Sequence, residues 1–363
     1  MTPKRRLLQI PPGTEGFFLE EAFRHRRILS ELDGIFTGWG YLPAETPVFD
    51  FYDIYKPLLD TSSSERVYRL MDREGELLLL RSDVTLFLAK QMGMALNRED
   101  LPVRVWYADS ILRHQQSDDI SKNEFYQIGA ELIGIPGLDG DAEVLLMAAE
   151  ILAFLKVDAV LHLGSAALAH EAARGLNDEE AKELFTAIAL RDTETMKDLL
   201  LQGNSEEPDS MIELFSFLGN STEFEAFLSR QGDSIAASCS PHLHRLLELA
   251  KIIETSASSG PVRIDLSETG SQNYHTGIVF QAYLEGVDSA FLSGGRYDRL
   301  LETFGFDSPS VGFSLLLRKI EPLVGNPERF ALPGRLEQAR GKSLQEKYRD
   351  AVEKRAQGRI VRL

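Results

Sequence analysis

The chain is 363 residues long, 43% hydrophobic and 26% charged, with a formal net charge of −17 at pH 7. That length suits one large globular domain carrying a smaller insertion, and no apolar run approaches the ~20 residues a membrane helix needs, so no membrane partner is expected. The acid excess argues against tRNA or another nucleic acid as a partner, because phosphate contacts from Lys and Arg supply most of that affinity; the lone Cys239 leaves no internal disulfide or cysteine-rich metal site and fits a reducing, cytoplasmic setting.

Lys4, Arg5 and Arg6 ahead of Leu7 and Leu8 imitate the start of a signal peptide, but Pro11, Pro12 and Gly13 stop it before an apolar stretch forms. Residues 16–38 predict an amphipathic helix, with Phe17, Phe23, Ile28, Leu32, Ile35 and Phe36 at helical spacing. Gly38, Gly40 and Pro43 end it, and an extended segment resumes at Thr46-Pro47-Val48-Phe49-Asp50. Residues 66–70 and 76–81 read as strands around the turn Asp72-Arg73-Glu74-Gly75, and a helix follows over about 85–94. Two further strands, 103–112 and 124–133, flank a polar loop at 115–122. Residues 141–155 predict a helix opened by Asp141, as the macrodipole prefers.

Residues 166–258 carry almost only helical patterning, broken at Gly203-Asn204-Ser205, Gly219-Asn220-Ser221 and Ser240-Pro241. Strands return at 262–266, 277–284, 291–293 and 310–313, and a helix over 315–323 closes the set. Strands, then helices, then strands again predict an α+β domain built from residues 1–165 and 259–325, with a helical insertion at 166–258. Residues 326–363 form a polar, Arg/Lys-rich tail with one helix at 336–355. There is no internal repeat.

Three segments carry a family resemblance. The first is the long helix followed by Gly40-Tyr41, Thr46-Pro47 and Asp50. The second is Leu112-Arg113-His114 with Asn123-Glu124-Phe125-Tyr126-Gln127-Ile128-Gly129-Ala130-Glu131-Leu132-Ile133-Gly134. The third is Leu292-Ser293-Gly294-Gly295-Arg296-Tyr297-Asp298 with Val311-Gly312-Phe313. In this order they resemble motifs 1, 2 and 3 of the class II aminoacyl-tRNA synthetases, and specifically histidyl-tRNA synthetase, over roughly residues 12–320. The resemblance implies an antiparallel sheet flanked by helices.

A free amino acid is recognised through carboxylates or amides on its ammonium and a cation on its carboxylate. Gln127 and Glu131 lie four apart on a predicted strand and so face the same side; the resemblance implies that they hold the ammonium and imidazole ends of histidine. Arg81-Ser82-Asp83-Val84-Thr85 is similar to the family's arginine-proline-glutamate-glycine-threonine loop, with Asp83 in the glutamate's place, which assigns Asp83 and Thr85 to the ammonium site. Tyr274-His275-Thr276-Gly277 resembles the tyrosine-tyrosine-threonine-glycine stretch packed on the imidazole, and Arg113 is the motif 2 arginine. The histidine-binding set implied is therefore Asp83, Thr85, Arg113, Gln127, Glu131, Tyr274 and His275, with no metal and no cofactor.

Activation chemistry needs cations at the α-phosphate, and losing one such group costs on the order of 100- to 1000-fold in rate. Here the family's motif 2 glutamate is Gln115, the arginine opening the histidine-specific stretch is replaced within Gly270-Ser271-Gln272-Asn273, and the closing glycine-leucine-glutamate-arginine reads Leu316-Leu317-Arg318-Lys319. Leu316 fills a small-residue position and Lys319 lacks the planar stacking surface of arginine. After Asn326 only 37 residues remain, too few for the family's anticodon-binding domain of about a hundred.

Losses confined to nucleotide and tRNA functions resemble the ATP phosphoribosyltransferase regulatory subunits. That resemblance implies a non-catalytic, cytoplasmic chain that dimerises through the motif 1 helix and joins a short-form catalytic subunit. It would then activate the first step of histidine biosynthesis and carry feedback inhibition by L-histidine. A divergent working histidyl-tRNA synthetase and a stand-alone histidine-sensing module stay open as alternatives. Two other signals read as structural: His242 and His244 lack a third nearby ligand, and Ser293-Gly294-Gly295-Arg296 lacks the Lys-Ser/Thr of a P-loop.

Overall fold

The computed structural model describes residues 9–59, 61–114, 123–205, 207–232, 236–256, 260–270, 274–331 and 337–363. The expectations placed on residues 4–8, on Gln115 and the loop to 122, on residues 271–273 and on Leu336 lie outside the described residues. The chain forms two compact units, one taking in Asp33–Gly325 with the segment before Gly16, the other joining Gly16–Leu32 to Asn326–Leu363. No helix among the described residues is long and apolar enough to cross a membrane.

In chain order the elements are α1 (Leu19–Gly38), β1 (Leu42–Pro43), β2 (Phe49–Phe51), α2 (Tyr52–Tyr55), α3 (Thr61–Arg66), β3 (Arg69–Met71), β4 (Leu77–Leu80), α4 (Val84–Ala95), β5 (Val103–Leu112), β6 (Glu124–Ile133), α5 (Gly137–Leu155) and β7 (Ala159–Ser165). Then come α6 (Ala166–Ala172), α7 (Asp178–Leu190), α8 (Thr193–Gln202), α9 (Pro208–Phe215), β8 (Leu218–Gly219), α10 (Ser221–Gln231), α11 (Ser240–Ser256) and β9 (Val262–Asp265). The sheet resumes with β10 (Ile278–Leu284), β11 (Leu292–Arg296) and β12 (Ser310–Leu316), followed by α12 (Leu317–Ile320), β13 (Glu337–Gln338), α13 (Leu344–Ala356) and β14 (Val361–Arg362).

The larger unit is α+β. Its nine-stranded sheet runs β1-β5-β6-β12-β11-β10-β7-β9-β8, and every neighbouring pair is antiparallel except β1/β5 and β7/β9. Period-two alternation assigns its residues to two faces. On one face Phe36 from the end of α1 stacks on Trp106 at 5.1 Å and meets Phe313 at 6.4 Å, while Val144, Leu145, Ala148 and Ile151 of α5 are fully buried. The other face carries Tyr107, Gln127, Gly129, Glu131 and Gly312. A second sheet, β2-β4-β3, stands apart from the first.

Several expectations need correcting, each for a tertiary reason. The helix expected over 315–323 is strand as far as Leu316, because Leu315 and Leu316 pair with Ile128 and Gln127 of β6; only the short α12 and a 3-10 turn (Glu321–Leu323) follow. The strand expected at 291–293 continues to Arg296 through two glycines that lie opposite Phe313 and Gly312. Arg66 ends α3, so the strand begins at Arg69, and β7 drew no expectation at all. The tail helix begins at Leu344, where the Ser343 hydroxyl and the Glu346 carboxylate close a capping box.

Within the smaller unit, β13 and β14 pair in parallel and α13 lies between them in sequence. Its apolar centre is small: Ala339, Ala351 and Val361.

Candidate functional site

Glu131 is the centre of the site. It lies on β6 directly across from Gly312 of β12 on one side and Val105 of β5 on the other, and only 2% of it is exposed. Thr85 Oγ1 donates to its Oε1 at 2.7 Å and the Tyr107 hydroxyl reaches the same oxygen at 3.3 Å. Tyr297, just past β11, donates to Oε2. Among the described residues no cation comes within ion-pair distance of this carboxylate. Burial raises its pKa to about 8, against the pull of the three hydroxyls. A buried carboxyl without a counter-ion is a costly group, and it becomes useful when a ligand brings the positive charge.

Asp83 and Thr85 are placed by α4. Asp83 is the N-cap, with its side chain accepting from Leu86 N–H at 3.4 Å, a role for which a short carboxylate is well suited. Arg81 fixes the preceding loop from a buried position, donating to Thr46 O (2.7 Å) and Ser110 O (2.9 Å) and pairing with Asp109 (3.0 Å). Arg113 donates to Ser82 O at 2.8 Å and pairs with Asp83 Oδ2 at 3.4 Å.

Tyr274 packs edge-on against Tyr297, ring centres 5.7 Å apart, and against His275 at 5.2 Å. Burial lowers the His275 pKa to about 4, so its imidazole is neutral, and among the described residues its buried Nδ1 has no hydrogen-bond partner. The ring fits because two neighbours are glycines. A Cβ at Gly270 would lie 2.5 Å from Nδ1, and one at Gly295 would lie 2.9 Å from Cδ2.

These groups surround a cleft of about 460 Å³, lined by Asp83, Thr85, Arg113, Glu131, Tyr274 and His275 among others. Six of the seven residues expected from the sequence therefore converge on one cavity. Gln127 does not line it. Its amide is turned away, Oε1 accepting from Val84 N–H at 3.2 Å and Nε2 reaching the Tyr107 hydroxyl at 3.5 Å, so in this state it braces α4 and β5. Tyr297 and Tyr107 were not anticipated. The signal for Tyr297 was its place inside the Arg296-Tyr297-Asp298 run; Tyr107 had none beyond alternation on β5.

Residues 316–319 bring a different chemistry. Leu316 and Lys319 line the same cleft, and Lys319 is bound to Asp288 (2.7 Å) and Ser289. The Arg318 guanidinium lies 5.6 Å from the centre of the Tyr126 ring. Elsewhere, His162, Asp265 and Glu268 bring possible metal-ligand atoms within 4.8 Å of one another. Arg191 already neutralises Asp265 at 2.7 Å, and Gln281 and Tyr283 occupy Glu268. His242 and His244 lie near the start of α11, where the latter bonds to Ser240 O at 2.8 Å.

Comparison with known proteins accounts for this combination. A family model for histidyl-tRNA synthetase matches residues 13–320. The ATP phosphoribosyltransferase regulatory subunit of Moorella thermoacetica is 30% identical over 98% of this chain and 91% of its own length. That of Symbiobacterium thermophilum is 31% identical over 85% of this chain and 77% of its own length. In structure, an ATP phosphoribosyltransferase regulatory subunit/histidyl-tRNA synthetase from Bacillus halodurans C superposes with a TM-score of 0.81, covering 98% of this chain and 92% of that one at 22% identity, a likeness of fold. The chain belongs to the family of ATP phosphoribosyltransferase regulatory subunits, built on the fold of histidyl-tRNA synthetase.

Proposed function

We propose that this chain regulates ATP phosphoribosyltransferase in histidine biosynthesis, binding L-histidine in the cleft around Glu131 and passing its occupancy to a short-form catalytic subunit. One observation carries the reading. The groups suited to an amino acid (Asp83, Thr85, Glu131 and Tyr274) converge on one cavity, while Leu316 and Lys319, where the synthetase would seat its nucleotide, are a bulky alkyl chain and an ammonium already paired with Asp288. The buried carboxyl and the hydroxyls around it suit the two cationic or proton-donating ends of histidine, and Arg113 suits the carboxylate.

The chain itself would be non-catalytic, forming no aminoacyl-adenylate and binding no tRNA. As an effector, histidine must bind one arrangement of the complex more tightly than the other, and that difference, typically ~1–3 kcal/mol, is the coupling it transmits. The test is direct: mix the chain with a short-form catalytic subunit and assay phosphoribosyl transfer with and without histidine. Activation by the chain and inhibition by histidine are expected. Equal rates with and without the chain, or measurable ATP–pyrophosphate exchange by the chain alone, would overturn the reading, the latter in favour of a working synthetase.

A further inference from the structure

Oε2 of Glu131 sits in a closed corner. Gly312 lies across the ladder so tightly that a Cβ there would be 1.5 Å from this oxygen, and among the described residues its one hydrogen bond comes from Tyr297. Oε1 has two donors, Thr85 and Tyr107. Tyr297 is 3% exposed and its ring is held edge-on by Tyr274. The residue before it, Arg296, is clamped by Asp141 at 2.6 Å and by Gly137 O at 3.1 Å, both at the start of α5. The Tyr297 backbone N–H is tied to Ser310 O at 2.8 Å. The hydroxyl is therefore aimed by the main chain and by a buried ion pair.

We propose that Tyr297 is a positioning residue of the histidine pocket: it does not serve as a ligand for the effector but fixes the rotamer of Glu131 and favours its ionised form, the form a cationic ligand requires. The inference rests on the histidine-pocket reading above. The groups facing Glu131 are Asp83 and Thr85 at the start of α4, Tyr107 on β5, Gln127 on its own strand, and Tyr274 and Tyr297. Asp83 is an anion that opposes ionisation, and Arg113 is engaged with that aspartate. Three hydroxyl donors offset part of the burial of the charge, and Tyr297 is the first of them in effect. Removing it leaves one carboxylate oxygen buried without a donor.

The test uses the full chain and two readouts. The Glu131 carboxyl is titrated by carbon-13 NMR in the ligand-free protein, its signal assigned by loss in Glu131→Gln, and histidine affinity is measured by calorimetry from pH 6 to 9. Tyr297→Phe should move the carboxyl midpoint upward by about one pH unit and weaken histidine on the order of 10-fold at pH 7, with the deficit shrinking as pH rises. An unchanged midpoint, or a loss of affinity equal at every pH, would sink the proposal, since a purely steric role gives the latter. If Tyr297→Phe fails to fold, 3-fluorotyrosine at position 297 keeps the ring and strengthens the donor, and the midpoint should then fall. Should the wild type bind no histidine at any pH, the pocket reading fails, while the titration of the ligand-free protein still decides the role of Tyr297.

Discussion

Gly312 and Glu131 face each other across β12 and β6, and a methyl group on the first would overlap the carboxylate of the second at 1.5 Å. The glycine is thus part of the site by what it lacks. Gly312→Ala should force Glu131 out of its rotamer, away from Thr85 and Tyr297, at a cost of about 1–3 kcal/mol of stability. Histidine binding should fall by at least tenfold in calorimetry. Retention of wild-type affinity in a folded variant would mean that Glu131 is not the anchor.

The carboxyl of Glu131 makes unliganded stability depend on pH in a defined direction. Its pKa is raised from 4.5 to about 8 by burial. A raised value means that the fold favours the protonated form, so this contribution is fully present below pH 4.5 and is lost as pH climbs through 8. Glu131→Gln keeps the shape and removes the titration. Relative to that variant, the wild type should lose on the order of a few kcal/mol between pH 5 and 8.5 in chemical denaturation without histidine. A constant difference across this range would contradict the buried, unpaired carboxyl. Added histidine should narrow the gap, because the ligand supplies the missing positive charge.

Gly270 and His275 form a second matched pair. Gly270 has φ +95° and would direct a Cβ to within 2.5 Å of Nδ1 of the imidazole, so the family's arginine could return here only if the ring shifted. Gly270→Ala should destabilise by about 2 kcal/mol, part from the left-handed backbone and part from the clash. In a His275→Ala background only the backbone part should remain. A double-mutant cycle by urea denaturation should therefore give a coupling above ~0.5 kcal/mol, and strict additivity would show that the imidazole yields freely.

Asp141 and Arg296 join α5 to β11 out of contact with water, with Nε to Oδ1 at 2.7 Å and both side chains within 3% of full burial. Asp141→Asn leaves the buried guanidinium with Asp298 (3.0 Å) as its remaining carboxylate partner, so the loss should be about 2–3 kcal/mol, below the ~3–5 kcal/mol of a fully unpaired buried charge. Thermal or chemical melting reads this loss. Because Tyr297 follows Arg296, the same variant should also weaken histidine binding, more than Asp139→Asn at the solvent side of the same helix.

The sequence made the site legible where chemistry and spacing coincided. Glu131 was visible because a carboxylate stands four residues after the amide of Gln127 on an alternating strand, and Asp83, Thr85 and Tyr274 because each stood in a family register. Gln127 was legible as a residue of the right face but not in its orientation, since the Val84 N–H that captures its amide lies 43 residues away. Tyr107 and Tyr297 were hidden for a similar reason: a tyrosine on a buried strand reads as packing until its hydroxyl is seen to reach a carboxylate. In the fold, long alternating strands such as β5 and β6 kept their bounds. Leu315 and Leu316 did not, because pairing with β6 overrode a local helical pattern.

The small β2-β4-β3 sheet exposes what a lone subunit would bury. Phe49, Phe51 and Leu70, which the register puts on one face, are 54%, 47% and 37% exposed, and the first belongs to the segment that resembles the end of motif 1. Contiguous apolar residues of this kind mark interaction surfaces, and a second copy related by twofold symmetry is the occupant expected for such a self-complementary patch. Phe49→Asp combined with Phe51→Asp should shift the chain from the expected dimer to monomer in analytical ultracentrifugation while leaving far-UV circular dichroism unchanged. The proposed histidine pocket lies on other strands, so the monomeric variant should still bind histidine in calorimetry but activate a short-form catalytic subunit poorly. A variant that stays dimeric would move the self-association surface elsewhere on the chain.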